Sequence, residues 1–319
     1  MNRPVVLVPR ALPSGWLDSL EGCELVVGDA DTPGFDDHVA ARLPDAEGIL
    51  CLLTETIDAA LLERAPKLRV VSNMAVGVDN VDVAACTARG IAVGNTPGVL
   101  TDATADLTMA LLLSAARRLP EAAADVRAGR WSTWSPTGWL GADLSDAQLG
   151  LVGLGKIGTA VARRAAGFGM RIVYHSRTPR PDLESELGLR RQPLPRLLST
   201  SDFVSVHVPL TEATTHLVDA DALAAMKPTA ILINTARGPI VDPVALREAL
   251  QAGTIGGAAL DVTSPEPLPA DDPLLTAPNL LVLPHIGSAT RGTRRKMAQL
   301  ACDNLLAGLR GEALPHSVG

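Results

Sequence analysis

Arg237, Glu266 and His285 each stand just beyond an apolar run: AILINT at 230–235, AALDV at 258–262 and LLVLP at 280–284. An arginine, a carboxylate and an imidazole suit the reduction of a 2-oxo acid. That reaction must hold a carboxylate, polarise a ketone and deliver one proton while a carrier delivers hydride. Arg237 can meet the first two needs, because a guanidinium is always charged and presents a fork of donors to planar anions. His285 can deliver the proton only if something keeps it charged, since an unperturbed imidazole with pKa about 6.5 is mostly neutral near pH 7. Glu266, hydrogen-bonded to the other ring nitrogen, would stabilise the imidazolium. Each residue also has a plainer reading: Arg237 paired with Asp242, Glu266 a solvated loop carboxylate, His285 a satisfied turn histidine. Their joint occurrence at the ends of three predicted strands favours the chemical reading.

A hydride carrier needs its own site, and Gly153-Leu154-Gly155-Lys156-Ile157-Gly158 is a G-x-G-x-x-G between the run QLGLV and a helical pattern. Gly153 allows the tight turn, Gly155 lets the backbone approach a pyrophosphate, and Gly158 lets the helix pack close to the strand. The alternative is an ordinary glycine-rich strand-to-helix turn. An NAD site would place an acid about 20 residues on, at the end of the next strand. Here that end reads His175-Ser176-Arg177-Thr178, with no carboxylate before Asp182. Arg177 suits a 2′-phosphate, which favours NADPH and leaves NADH possible. The plainer view makes Arg177 a solvent-exposed strand-end residue.

These residues need a scaffold that gathers strand ends. Short apolar runs at 5–8, 24–27, 48–53, 69–72 and 91–94 alternate with helical patterns, as in a parallel sheet covered by helices. A second series of six runs, beginning at 148, 171, 203, 230, 258 and 280, predicts a doubly wound dinucleotide fold. Between them, the stretch from Thr101 is apolar all round and predicts a long helix buried between two bodies. A final helix, Arg291 to Leu309, carries the chain back to the first body.

The chain has 319 residues, about twice a ~150-residue domain. With 47% hydrophobic and 20% charged residues it reads as a globular enzyme, and disordered or coiled-coil classes are excluded. The net charge of -7 argues against a nucleic-acid partner, because the short clusters Arg117-Arg118 and Arg294-Arg295-Lys296 form no basic stripe. Cys23, Cys51, Cys86 and Cys302 lack metal-ligand spacing and predict buried free thiols in a reducing cytoplasm. No run is long enough for a membrane span, and the four-residue run VVLV is too short for a signal-peptide core.

Taken with MAVGVDNVD at 74–82, TPGVLTDATAD at 96–106, SRTPRP, LDVTSPEPLP and LPHIGSAT, the chain resembles the D-2-hydroxyacid dehydrogenases over nearly its whole length, and within them the glyoxylate/hydroxypyruvate reductases. The resemblance implies an α/β fold of two Rossmann-like, doubly wound parallel-sheet domains. The first, at 1–99 and 286–319, would be a discontinuous, flavodoxin-like substrate domain; the second, at 100–285, would bind NAD(P). It implies that Arg237, Glu266 and His285 are catalytic, and that backbone amides at Val76 and Gly77 grip the substrate carboxylate. Thr104 and Asp261 would lie near the nicotinamide, Thr235 and Ala236 along its ribose, and Val208 and Pro209 beside the adenosine half. Thr214, Gly287 and His285 join the implied cofactor set with the glycine loop and Ser176, Arg177 and Thr178. Ser288 either touches substrate or caps the final helix.

Trp131, Trp134 and Trp139 crowd into nine residues before the glycine loop. Packing at a domain hinge is one reading. The other is a homodimer arm, for which the resemblance implies that one Trp, here Trp139, reaches the partner's site and restricts it to small substrates. Rival specificities within the fold are another D-2-hydroxyacid dehydrogenase or a phosphite dehydrogenase. A rival of another class is a dinucleotide-sensing, corepressor-like binding protein.

Overall fold

The structure, a computed structural model, describes residues 3–32 and 34–319. The chain divides into two compact units, residues 1–100 with 289–319, and residues 101–288.

The first unit is built on five strands: β1 (Val5–Val8), β2 (Glu24–Val27), β3 (Gly48–Cys51), β4 (Val70–Asn73) and β5 (Ala92–Gly94). All pair in parallel, in the order β2-β1-β3-β4-β5, which is the flavodoxin-like order. β1, β3 and β4 are buried along their whole length, which is why they read as unbroken apolar runs rather than alternating ones. The helix Arg291–Arg310 closes one face of this sheet. Its start is capped by the Thr290 side chain, which accepts from Thr293 N at 3.1 Å, so Ser288 is not the cap. Close approach of helix to sheet explains Gly308, where an added Cβ would lie 2.6 Å from Val70 Cβ.

The second unit holds seven parallel strands: β6 (Gln148–Val152), β7 (Arg171–His175), β8 (Arg190–Arg191), β9 (Phe203–Val206), β10 (Ile231–Asn234), β11 (Gly257–Leu260) and β12 (Leu280–Val282). Their order is β12-β11-β10-β9-β6-β7-β8. The sequence reading finds six of them. β8 escapes it because two exposed arginines carry no apolar signal. Alternate residues feed two cores: Leu149, Leu151, Ile172 and Tyr174 point to one, Val152, Val173, Val204 and Val206 to the other. A sheet buried on both faces in this way is doubly wound.

The helix Thr101–Ala116 belongs to this second unit and packs on the helix Lys156–Gly167 and on β10 and β11. It is not apolar all round: Asp102 and Asp106 are exposed and pair with Arg164 at 3.1 and 2.6 Å. All four cysteines are buried and free. No helix among the described residues is long and apolar enough to cross a membrane.

Candidate active site

The strand order reverses between β6 and β9, and ligands of open α/β sheets bind outside the carboxyl ends of such strands. The glycine loop lies there. Gly153 has φ +102, and an added Cβ would sit 2.7 Å from the His207 carbonyl carbon beyond β9. Gly158 brings the helix Lys156–Gly167 against the loop, since its Cβ would lie 2.5 Å from Gly153 O. Gly155, which precedes this helix as its N-cap, is different: an added Cβ would meet no protein atom within 4 Å. The protein's own packing does not require glycine there, whereas a pyrophosphate drawn against the backbone at a helix N-terminus would. Leu154, Lys156 and Ile157 complete the turn. The residues present therefore fit a dinucleotide.

Beyond β7, the Ser176-Arg177-Thr178 segment is held from two sides. Ser176 Oγ donates to Thr178 O at 2.5 Å, and the Arg191 guanidinium donates to Ser176 O and Arg177 O at 2.9 and 3.1 Å. Arg177 itself is exposed. Asp182 stands in the first turn of the helix Pro181–Leu187 and is paired with Arg180 at 3.1 and 2.9 Å. Arg180 also reaches back to Leu154 O at 3.4 Å, and its N–H donates to the buried Tyr174 hydroxyl at 2.8 Å. Sequence reasoning missed Arg180, Arg191 and Tyr174. A second arginine in SRTPRP was a usable signal for Arg180; nothing local announced the other two.

Downstream of β9, Thr214 Oγ1 donates to Pro209 O at 2.7 Å and shapes the turn that starts at Val208. Beyond β10, Thr235 is buried, and its hydroxyl lies 2.9 Å from Thr108 Oγ1. Thr108 donates at 2.8 Å to Thr104 O and so ties the long helix to this strand end. Its position four residues after Thr104, on the same helix face, was the sequence signal for it. Ala236 N donates to Asn234 Oδ1, and Asn234 Nδ2 donates to Arg237 O, at 3.0 and 2.9 Å. Arg237 is thus carried by a backbone that the strand-end asparagine fixes, with its Nη1 donating to Ala236 O at 2.8 Å. Asp242, the alternative partner weighed for it, caps the helix Pro243–Ala252 by accepting from Val244 N and Ala245 N. Gly238 lets this backbone run against the loop beyond β11: an added Cβ would lie 1.8 Å from Thr263 O.

That loop carries Glu266. One carboxylate oxygen accepts from Thr263 N at 3.3 Å, and the other lies 2.5 Å from His285 Nδ1. Burial pushes the Glu266 carboxyl up. The His285 hydrogen bond and charge, with Thr263 N–H and Arg237, outweigh burial and hold it below the ordinary carboxylate value.

His285 has φ +54, a left-handed conformation that costs a non-glycine residue energy and needs support. Asp261, 1% exposed, supplies that support. Its backbone carbonyl accepts from His285 N at 2.8 Å, and its two carboxylate oxygens accept from Ile286 N and Gly287 N at 2.8 and 2.7 Å. Burial raises the Asp261 carboxyl despite the pull of those two N–H groups. Gly287 fits between Asp261 and Thr104, where a Cβ would meet Asp261 Oδ2 at 3.1 Å and Thr104 Oγ1 at 3.4 Å.

In the first unit, Val76 and Gly77 lie in the loop after β4, Val76 exposed and Gly77 half-buried. Trp139, at φ +52, lies under the Arg118 guanidinium 5.0 Å away, while Trp131 and Trp134 are 68% and 78% exposed. None of the three packs into a core. Among the described residues no group of three or more His, Cys, Asp and Glu is placed to hold a metal ion.

Comparison with known proteins gives the family of the chain. The family description that matches residues 109–287 is "D-isomer specific 2-hydroxyacid dehydrogenase, NAD binding domain". A glyoxylate reductase of Korarchaeum cryptofilum is 49% identical over 99% of this chain and 96% of its own length. A glyoxylate reductase/hydroxypyruvate reductase of Mus musculus is 48% identical over 93% and 91%. Among solved structures, an NADPH-dependent glyoxylate/hydroxypyruvate reductase of Sinorhizobium meliloti, in complex with NADP and malonate, superposes with a TM-score of 0.87 at 40% identity. That match covers 100% of this chain and 97% of the other.

Proposed function

The chain belongs to the D-isomer specific 2-hydroxyacid dehydrogenase family of NAD(P)-dependent oxidoreductases, and within it we propose a reductase of small 2-oxo acids, glyoxylate and hydroxypyruvate, that prefers NADPH. The observation that carries this reading is the 2.5 Å pairing of Glu266 with His285 Nδ1. With Nδ1 engaged by the carboxylate, Nε2 is the ring nitrogen left to exchange a proton with substrate. Arg237 binds and polarises the 2-oxo acid. The dihydronicotinamide ring, when bound, supplies hydride to the carbonyl carbon. The ketone oxygen takes the Nε2 proton of His285 as it gains charge, and in reverse His285 accepts it from the hydroxyl. Glu266 holds the ring's orientation and opposes the loss of its charge.

The remaining assignments follow the same reading. Val76 and Gly77 offer amides to the substrate carboxylate, which makes the first unit the substrate domain, and Ser288, the last residue of the second unit, is a further substrate contact. The glycine loop, Thr104, Val208, Pro209, Thr214, Thr235, Ala236, Asp261 and Gly287 hold the dinucleotide. Arg177, with no carboxylate at the end of β7, favours the 2′-phosphate of NADPH. The exposed run from Trp131 to Leu140 supports a homodimer in which Trp139 limits the partner's substrates to small acids. Four buried thiols fit a reducing cytoplasm. The test is absorbance loss of NADPH and of NADH with glyoxylate, hydroxypyruvate and pyruvate. Faster turnover with NADPH and the first two acids is expected; no turnover with any 2-oxo acid overturns the reading.

A further inference from the structure

In the loop that follows β4, three successive carbonyls are each held by a different donor. Ala75 O accepts from Thr96 N at 2.8 Å, Val76 O from Asn95 Nδ2 at 2.8 Å, and Gly77 O from Asn73 Nδ2 at 2.9 Å. A trans peptide is planar, with C=O and N–H pointing to opposite sides. The cis bonds among the described residues, at 264–265 and 266–267, lie elsewhere. Holding the Ala75 carbonyl therefore turns the Val76 N–H away from Thr96, and holding the Val76 carbonyl turns the Gly77 N–H away from Asn95. Neither N–H has an acceptor within the protein among the described residues. The loop thus presents two amide donors whose directions are set by groups behind them.

The holders are themselves held. Asn73 is fully buried; its second N–H goes to Asn80 Oδ1 at 2.9 Å, and its own oxygen lies 3.5 Å from Cys51 Sγ. Asn80 spends both amide protons on Leu52 O and Glu55 O, at 2.9 and 2.8 Å, and so clips the loop after β3 to the loop after β4. Glu55, 1% exposed, accepts from Leu52 N and Thr54 Oγ1, each at 2.6 Å. On the other side, Asn95 O accepts from Asn304 Nδ2 at 2.9 Å, and Asn95 N donates to His316 O at 3.1 Å. The buried part of this network is stiff, because a rotamer change at Asn73 or Glu55 would orphan a buried polar group.

We propose that Asn95 is a positioning residue: by holding Val76 O it orients the peptide plane that carries the Gly77 N–H, as Thr96 N does for the Val76 N–H through Ala75 O, while Asn73 anchors the peptide that follows, so that the two amides face the substrate carboxylate. This rests on the reading of those amides as carboxylate ligands. A preset donor pair binds an anion without the cost of ordering the loop at each encounter. Because the carboxylate is held equally in ground and transition states, loss of this aim should raise KM and spare kcat.

The experiment uses the full chain as wild type, Asn95→Ala and Asn95→Asp, the second keeping shape while removing the donor. Steady-state kinetics with glyoxylate, NADPH affinity by fluorescence, and hydrogen exchange of the 74–80 segment are read together. Expected are a KM raised about tenfold or more in both variants, kcat within about threefold, unchanged NADPH affinity and faster exchange confined to the loop. Unchanged exchange would show that the asparagine does not hold the loop. Faster exchange with unchanged KM would show that the carboxylate binds elsewhere, removing the assignment of Val76 and Gly77 and the proposal with it. Parallel losses in KM, kcat and NADPH affinity would mark a general structural role and overturn it too. A smaller KM rise in Asn95→Asp than in Asn95→Ala would contradict it as well, since a carboxylate cannot donate to Val76 O.

Discussion

Glu266 Oε1 lies 2.5 Å from His285 Nδ1, and the pair joins two loops that follow neighbouring strands, β11 and β12. Glu266 is held below the ordinary carboxylate value by this contact, with Arg237 adding to it.

The sign of the pH dependence follows. A carboxyl whose folded value is depressed contributes stability that is present above its unfolded value of about 4.3 and is lost as pH falls through the folded value. Asp261, raised by burial, works in the opposite sense, so total stability is a poor readout and a difference is needed. The melting-temperature gap between wild type and Glu266→Gln should narrow in acid, below the ordinary carboxylate range. A gap that stays constant into acid would separate Glu266 from any charge interaction with His285.

Arg177→Asp places a negative charge where a 2′-phosphate is expected to bind. The ratio of kcat/KM for NADPH over NADH should fall by about tenfold or more. An unchanged ratio would point to Arg180 or Arg191 as the discriminating cation, or to no phosphate site in this loop.

Gly238 tests how closely two loops must approach. A Cβ placed 1.8 Å from Thr263 O forces the Arg237 backbone away from the Glu266 loop. Gly238→Ala should cost about 1–3 kcal/mol of stability by overpacking and lower kcat/KM more than it lowers NADPH affinity. Wild-type stability and kinetics would mean that the two loops separate freely.

Much of this architecture is visible in the residues alone, for a physical reason. Strands such as β3 and β9 are buried on both faces, so they appear as unbroken apolar runs, and Gly153 and Gly158 are demanded by close backbone approach. What escapes local reading is side-chain capture of distant backbone. Asp261 clasps the turn of His285 from 25 and 26 residues away, and Asn95 holds Val76 O from 19. Neither has a periodic signature. β8 is missed because two arginines signal a solvated surface rather than an edge strand. The apolar stretch from Thr101 misleads because its exposed aspartates, Asp106 and Asp102, are offset by Arg164, 58 and 62 residues on.

The account turns on His285 as the group that exchanges the proton. Its most direct measurement is NADPH consumption with saturating glyoxylate by His285→Ala, alongside cofactor affinity by fluorescence. Cofactor binding within about threefold of wild type and turnover reduced about 10²–10⁴-fold are predicted. Turnover within a few-fold of wild type would contradict the account.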